Sequence, residues 1–217
     1  VNEFDDEPVR GLPERPPQGE QILWQGSPSL RALALRVFHL RAAALYFFLL
    51  AAWSFGSAFA AGSGLRAAAV SAAGTLPFAI TAMSLLLLLA WLIERSTVYT
   101  ITNRRVVLRI GVALPITMNI PFSKIESAAL KLHSDGTGEI PLKLAGPERQ
   151  SFVVLWPHVR PWHTTRPEPM LRCLADADAV AQVLSGALAM SVRERPLPTA
   201  SVSRHTSGAM EAAPSAA

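Results

Sequence analysis

The sequence predicts a membrane α+β protein: a two-helix transmembrane hairpin, then a small antiparallel β-barrel or sandwich closed by a C-terminal helix. Three observations predict it. Residues 42–93 hold 52 positions and one charge, Arg66. After them the pattern changes from continuous apolar sequence to short β-branched runs separated by turn residues. A last stretch, following Asp176, is amphipathic at helical spacing.

The apolar region divides at Gly62-Ser63-Gly64 into runs at 42–61 and 67–93. The first has 20 residues, about 30 Å of helix and the thickness of a hydrocarbon core. The second is longer and spans with tilt. A buried hairpin of a soluble protein fits two such runs in succession less well, and a cleaved signal peptide does not begin behind an acidic, proline-rich stretch. Arg31, Arg36 and Arg41 precede the first run and Arg95, Arg104, Arg105 and Arg109 follow the second, whereas the connection carries Arg66 alone. The positive-inside bias places both termini of a multi-pass protein in the cytoplasm. Ala52, Gly56, Ala60 and Gly64 recur every four residues, a ridge of small side chains that admits a second helix at close range. That helix is either the second span, through Ala69 and Ala73, or one from a partner. Pro77 is expected to kink the second span.

The chain has 217 residues, 50% hydrophobic, with a formal charge of +4 and a pI near 9.8. Residues 1–20 carry six acidic and two basic side chains, and residues 94–131 six basic and two acidic. Basic sequence beside a span suits an anionic lipid surface. No nucleic-acid recognition motif accompanies it. The single cysteine, Cys173, rules out an internal disulfide and a multi-cysteine metal site.

Residues 1–28 read as an extended or partly disordered leader that ends in an apolar patch, 21–26, suited to a strand docking on the later domain. A helix starting at Pro28 or Ser29 is expected to run through Arg31 and Arg36 into the first span, making residues 29–95 the hairpin unit. Strands are expected at 97–101, 106–110, 116–120, 125–132, 140–144 and 150–155, with a turn at Thr102-Asn103. A closing helix follows, with Asp176 as N-cap and Ala179, Val180, Val183, Leu184 and Leu188 on its packed face. The domain therefore covers 96–192, and 193–217 is a solvated, disordered tail.

Two helices followed by short strands and one helix resemble the bacterial pleckstrin-homology-like domains found behind membrane hairpins. Residues 97–107, Gly111 and 120–127 carry that resemblance. Residues 7–13 and 19–26, with Pro157-His158, Arg160-Pro161-Trp162 and 167–172, resemble the photosynthetic complex assembly protein PuhB family of purple bacteria. This resemblance implies a non-enzymatic protein of the bacterial inner (intracytoplasmic) membrane that assists assembly of the reaction centre and core antenna, with subunits of those complexes as partners. Homo-oligomerisation is left open. A lipid-responsive PH-like membrane adaptor unrelated to photosynthesis is the alternative.

Candidate residues follow from side-chain type. Trp156, Arg160, Trp162 and Arg166 combine the residues enriched in interface hot spots, although a barrel core also uses tryptophan. Arg104 and Arg105, at the first β turn, suit an anionic membrane surface or a partner. Neither span contains histidine, and His39 reads as a solvated residue at the foot of the first, so no pigment or other cofactor is expected. His158 and His163 lack the further ligands of a metal site. His133, Ser134 and Asp135 read as a polar loop rather than a catalytic set.

Overall fold

The structure, a computed structural model, describes residues 10–112, 114–146, 151–161, 163 and 165–193. Residues 1–9, Gln150, Trp162 and the tail beyond Arg193 lie outside the described residues.

Strand β1 (Ile22–Gly26) precedes the helices and β2 (Val98–Thr102) follows them, yet the two pair antiparallel, with Gly26 opposite Tyr99. The apolar patch docks on the later domain as expected, and the hairpin is an insertion between two adjacent strands of one sheet. The domain expected at 96–192 thus takes in residues ahead of the hairpin as well.

The helix expected to run unbroken from Ser29 into the first span is interrupted. A short α1 (Leu30–Ala32) passes into a π turn over Leu33–Val37, closed by the Phe38 N–H donating to the Leu33 carbonyl at 3.1 Å. His39 then sits in the left-handed region at φ 49°, and its carbonyl accepts from the N–H groups of Ala42 and Ala43 as α2 (Leu40–Ala60) begins. The break has a packing cause. It lets Leu33 and Ala34 bury beside Ala90, Ile93 and Cys173 while α2 leaves in its own direction.

At the far end of α2, Gly62 takes φ 78°, its N–H donates to the Phe59 carbonyl, and the Ser63 N–H donates to that of Ala58. This is a Schellman termination, in which a left-handed glycine satisfies carbonyls the helix would leave bare. The return limb is α3 (Gly64–Ala73) and α4 (Leu76–Ser96). The expected kink is a break at Gly74-Thr75, where the Thr75 hydroxyl donates to the Ala72 carbonyl at 2.8 Å and Pro77 falls in the first turn of α4, where its missing N–H costs little. Helix α2, and α3 with α4 taken together, are long and apolar enough to cross a membrane.

After the helices, β2, β3 (Arg105–Ile110) and β4 (Ile116–Pro121) extend the first sheet in the order β1-β2-β3-β4. The strand expected at 125–132 is split into β5 (Ile125–Ala128) and β6 (Lys131–Leu132), both on one edge of β7 (Gly138–Leu144). The strand expected at 150–155 is instead, over its described part, one helical turn, α5 (Phe152–Leu155). A short apolar run has no period that separates the two states, and here the Leu155 N–H finds the Ser151 carbonyl. Strand β8 (Met170–Leu174), absent from the expectation, fills the other edge of β7. Helix α6 (Ala177–Arg193) closes the fold with Ala177, Val180, Leu184 and Ala187 buried and Val183 and Leu188 half-buried, while Ala179 faces solvent. The core joins Tyr99, Ile101, Leu108, Ile140 and Leu171 of the sheets to Val180 and Leu184.

Strands β2 and β3 are buried on both faces because residues 10–20 lie over the outer one. Leu12 is 2% exposed, a burial worth about 2 kcal/mol. Gln25 Nε2 donates to the Arg10 carbonyl and to Thr100 Oγ1, and Asn103 Nδ2 donates to the Gly19 carbonyl.

Candidate functional site

The loop leading from α5 to β8 contains most of the expected interface residues, and backbone hydrogen bonds fix its two limbs together. The Met170 N–H donates to the His158 carbonyl at 2.9 Å and the Arg160 N–H to the Glu168 carbonyl at 3.0 Å, with Val159 and Pro169 bridged between them. Arg160 Nη1 adds an ion pair to Glu168 Oε2 at 2.9 Å. Trp156 is 53% exposed. Of the two readings of this residue, core or surface, the geometry selects surface. Its ring meets Phe38 edge-on at 6.2 Å between centroids, so it stands beside the foot of α2. Arg166 is exposed, and Trp162 lies outside the described residues.

Under this loop is a buried polar network. His158, 1% exposed, meets Tyr99 Oη through Nδ1 at 2.5 Å and Thr97 Oγ1 through Nε2 at 3.2 Å. The Arg172 N–H donates to Tyr99 Oη at 3.3 Å, Arg172 Nε reaches Glu139 Oε1 at 3.4 Å, and Arg172 Nη1 donates to the Pro157 carbonyl at 2.8 Å. Burial, reinforced by the Arg172 charge, lowers the His158 pKa to about 3. Burial likewise raises that of Tyr99 and pushes the Cys173 thiol up to about 12. A neutral imidazole sealed from solvent positions the loop. It has no route to a substrate proton.

Elsewhere the expected residues fall as follows. Ala52, Gly56 and Ala60 are exposed, and a Cβ built on Gly56 meets nothing within 4 Å. The small-residue ridge is therefore not the contact between the two limbs, in which Ala68 is buried instead. His39 is exposed at the start of α2. Arg104 and Arg105 sit at the turn between β2 and β3, at the end of β2 remote from α4. Arg104 is exposed, whereas Arg105 is held by Glu20 at 2.8 and 3.1 Å and by Asn119 Oδ1 at 3.2 Å. Asp135 accepts from the Thr137 hydroxyl at 2.6 Å and pairs with Arg36 at 2.9 Å, so it structures its own turn. His163 contacts the Pro161 carbonyl. Among the described residues no group of three or more His, Cys, Asp or Glu side chains is placed to hold a metal ion.

Phe38, Tyr99 and Arg172 are the participants the sequence reading missed. Phe38 had one signal, an aromatic residue next to the first arginines. Tyr99 and Arg172 had none, because they lie on strands of different sheets, β2 and β8, and meet only where the two sheets pack together.

Residues 32–188, a stretch containing the hairpin and nearly all of the domain, match the bacterial PH domain family. The chain belongs to that family. A relative in Rhodobacter capsulatus, described as an uncharacterized 23.7 kDa protein in the puhA 5′ region, is 42% identical over 195 residues, covering 89% of this chain and 91% of its own. The chain is also similar to the crystal structure of a DUF1696 family protein with a pleckstrin-homology domain from Shewanella loihica PV-4, at 15% identity and a TM-score of 0.29, over 43% of this chain and 68% of that one.

Proposed function

We propose that this chain is a non-enzymatic assembly factor for the photosynthetic reaction centre and core light-harvesting complex, working through transient contacts with incompletely assembled subunits. The observation that carries the reading is the exposed Trp156, set beside Phe38 at the foot of α2 with Arg160 and Arg166 on the same loop. An aromatic anchor flanked by arginines is the composition of a binding hot spot. Its place next to the hairpin suits a client that is itself a membrane protein. The PuhB-like residues of the leader and of this loop support the photosynthetic assignment, as does the relative in the puhA 5′ region.

In this reading the two apolar limbs span the inner membrane with both termini in the cytoplasm. Pairing of β1 with β2 supports an even number of spans, since residues before and after the hairpin must share one side. The flanking arginines select the cytoplasmic side.

Affinity purification of the tagged full chain from phototrophically grown cells tests the proposal. Reaction-centre and core-antenna polypeptides should be enriched with the unaltered chain and strongly depleted with Trp156→Ala, a loss of about 2 kcal/mol for a hot-spot aromatic, or roughly thirtyfold in affinity. An eluate without those polypeptides, from membranes that retain the intact chain, would refute it.

A further inference from the structure

Where the chain breaks ahead of α2, a cleft of about 320 Å³ opens between this segment and the turn joining β6 to β7. Arg31, Arg36, Arg41 and Ser29 line one wall, and Asp135 and Thr137 the other. Arginines five residues apart in an unbroken α-helix would point about 140° from one another. The π turn over Leu33–Val37 and the left-handed His39 reset that phase, and all three side chains line the same cleft.

The lining charge is three arginines against one carboxylate. Asp135 is committed to Arg36 through one oxygen and to the Thr137 hydroxyl and N–H through the other. Those hydrogen bonds hold its carboxyl well below the usual range, so it stays ionised and keeps Arg36 in place. Arg31 and Arg41 make no ion pair or hydrogen bond among the described residues. Arg31 and Arg41 bring two positive charges to a cleft whose one carboxylate is taken up by Arg36, and an oxyanion bound there accepts charge-assisted hydrogen bonds from them. Ser29 offers a hydroxyl donor beside them. Arg41 is the second residue of α2, which sets the cleft at the depth where the apolar span begins.

We infer that this cleft binds the phosphodiester of an anionic glycerophospholipid, with Arg31 and Arg41 as its direct ligands. The inference rests on the reading that α2 and α3–α4 cross a membrane. One wall belongs to the hairpin and the other to the PH domain, so a bound headgroup clamps the domain at a fixed angle to the bilayer. The phosphate chemistry alone would also suit free phosphate, but the depth of Arg41 assigns the ligand to the lipid.

The test uses the full chain in a neutral detergent, with melting temperature and native mass spectrometry followed as phosphatidylglycerol, phosphatidylcholine or inorganic phosphate is added. Phosphatidylglycerol should bind saturably and raise the melting temperature, and the other two should not at the same concentration. Arg31→Gln with Arg41→Gln should weaken phosphatidylglycerol binding about a hundredfold, and Arg41→Gln alone about tenfold, from the loss of charge-assisted hydrogen bonds. Lipid-free melting of these variants should be no lower than the parent's, since among the described residues neither side chain makes an ion pair or hydrogen bond that would be lost. Arg15→Gln with Arg193→Gln removes the same charge at two exposed positions elsewhere and should leave binding intact. Equal response to both lipids, saturation by inorganic phosphate in the same range, equal loss in the charge-matched control, or undiminished binding by the double variant would each overturn the proposal. Alkaline carbonate extraction of cell membranes separates the two readings. Release of the chain would remove the spanning hairpin and this site together, whereas retention without a phosphatidylglycerol preference would remove the site alone.

Discussion

His158 shows how one buried side chain fixes a surface. Its ring joins Thr97 and Tyr99 from below while its backbone carbonyl receives the Met170 N–H, so the loop bearing Trp156 and Arg160 is anchored in the core. The same burial makes stability depend on pH. The imidazole titrates near 6.5 when unfolded and at about 3 in the fold, so between those values the unfolded chain takes up a proton that the fold excludes. The contribution is complete above pH 6.5 and is lost as pH falls toward 3. Between pH 6.5 and 4.5 the full chain in detergent should lose about 2 kcal/mol from this group. His158→Leu should be less stable at neutral pH, by about 1–3 kcal/mol for the stranded hydroxyls, but with a flatter profile over the same window. A variant profile as steep as the parent's would assign the acid sensitivity to other groups.

At the scale of elements, the leader behaves as a covering layer of the first sheet. Gly11 allows the closest approach: it has φ 78°, and a Cβ there would come within 2.6 Å of Val98 Cγ1. Gly11→Ala should lift residues 10–20 from β2 and β3, at a cost of about 1–3 kcal/mol from strain and lost burial of Leu12. Limited trypsin digestion checks this, with cleavage at Arg10 expected to accelerate, whereas Arg15, which precedes Pro16, is not cut in either form. An unchanged digestion pattern would mean that the leader does not depend on this contact. Nothing in residues 10–19 read alone announces the docking, because the surface that orders them lies some eighty residues further on. Elements whose cause is local were legible. The two apolar runs declare themselves by length, β2 and β3 by their β-branched residues, and α6 by the spacing of Val180, Val183 and Leu184. Elements whose cause is distant were not. Phe152–Leu155 carries no period that tells a strand from a helical turn, and Met-Leu-Arg-Cys-Leu in β8 has no β-branched residue to mark it. The candidate site divides in the same way. Trp156 stood out by type, but its exposure and its pairing with Phe38 follow from the fold, and the arginine cleft follows from a break in helix phase that the spacing of Arg31, Arg36 and Arg41 argues against.

At the scale of the whole molecule, the insertion of the helical hairpin between β1 and β2 ties the hairpin to the domain. Tyr99 is paired through Gly26, and the Ser29 N–H donates to the Cys173 carbonyl at 2.8 Å, so the domain's first strand and its β8 contact both come from sequence ahead of α2. A domain cut at residue 97 therefore loses β1 and the leader. Its β2 edge is left with unpaired N–H and C=O groups, and Val98, Thr100 and Val107 lose their cover. Replacing residues 30–96 by a short glycine-serine linker keeps both, because Gly26 and Tyr99 already lie opposite each other in an antiparallel pair and a tight connection can join them. The linked form, residues 10–29 joined to 97–193, should be monomeric and unfold cooperatively, while 97–193 alone should aggregate or melt many degrees lower. Size-exclusion chromatography and thermal unfolding of the two forms decide between them. If 97–193 alone is monomeric and equally stable, the segment ahead of the hairpin is an appendage to the domain. If only the linked form folds, the segment ahead of the hairpin is an integral part of the PH domain, and in the full chain β1 meets β2 only where the two limbs of the hairpin bring Gly26 and Tyr99 together.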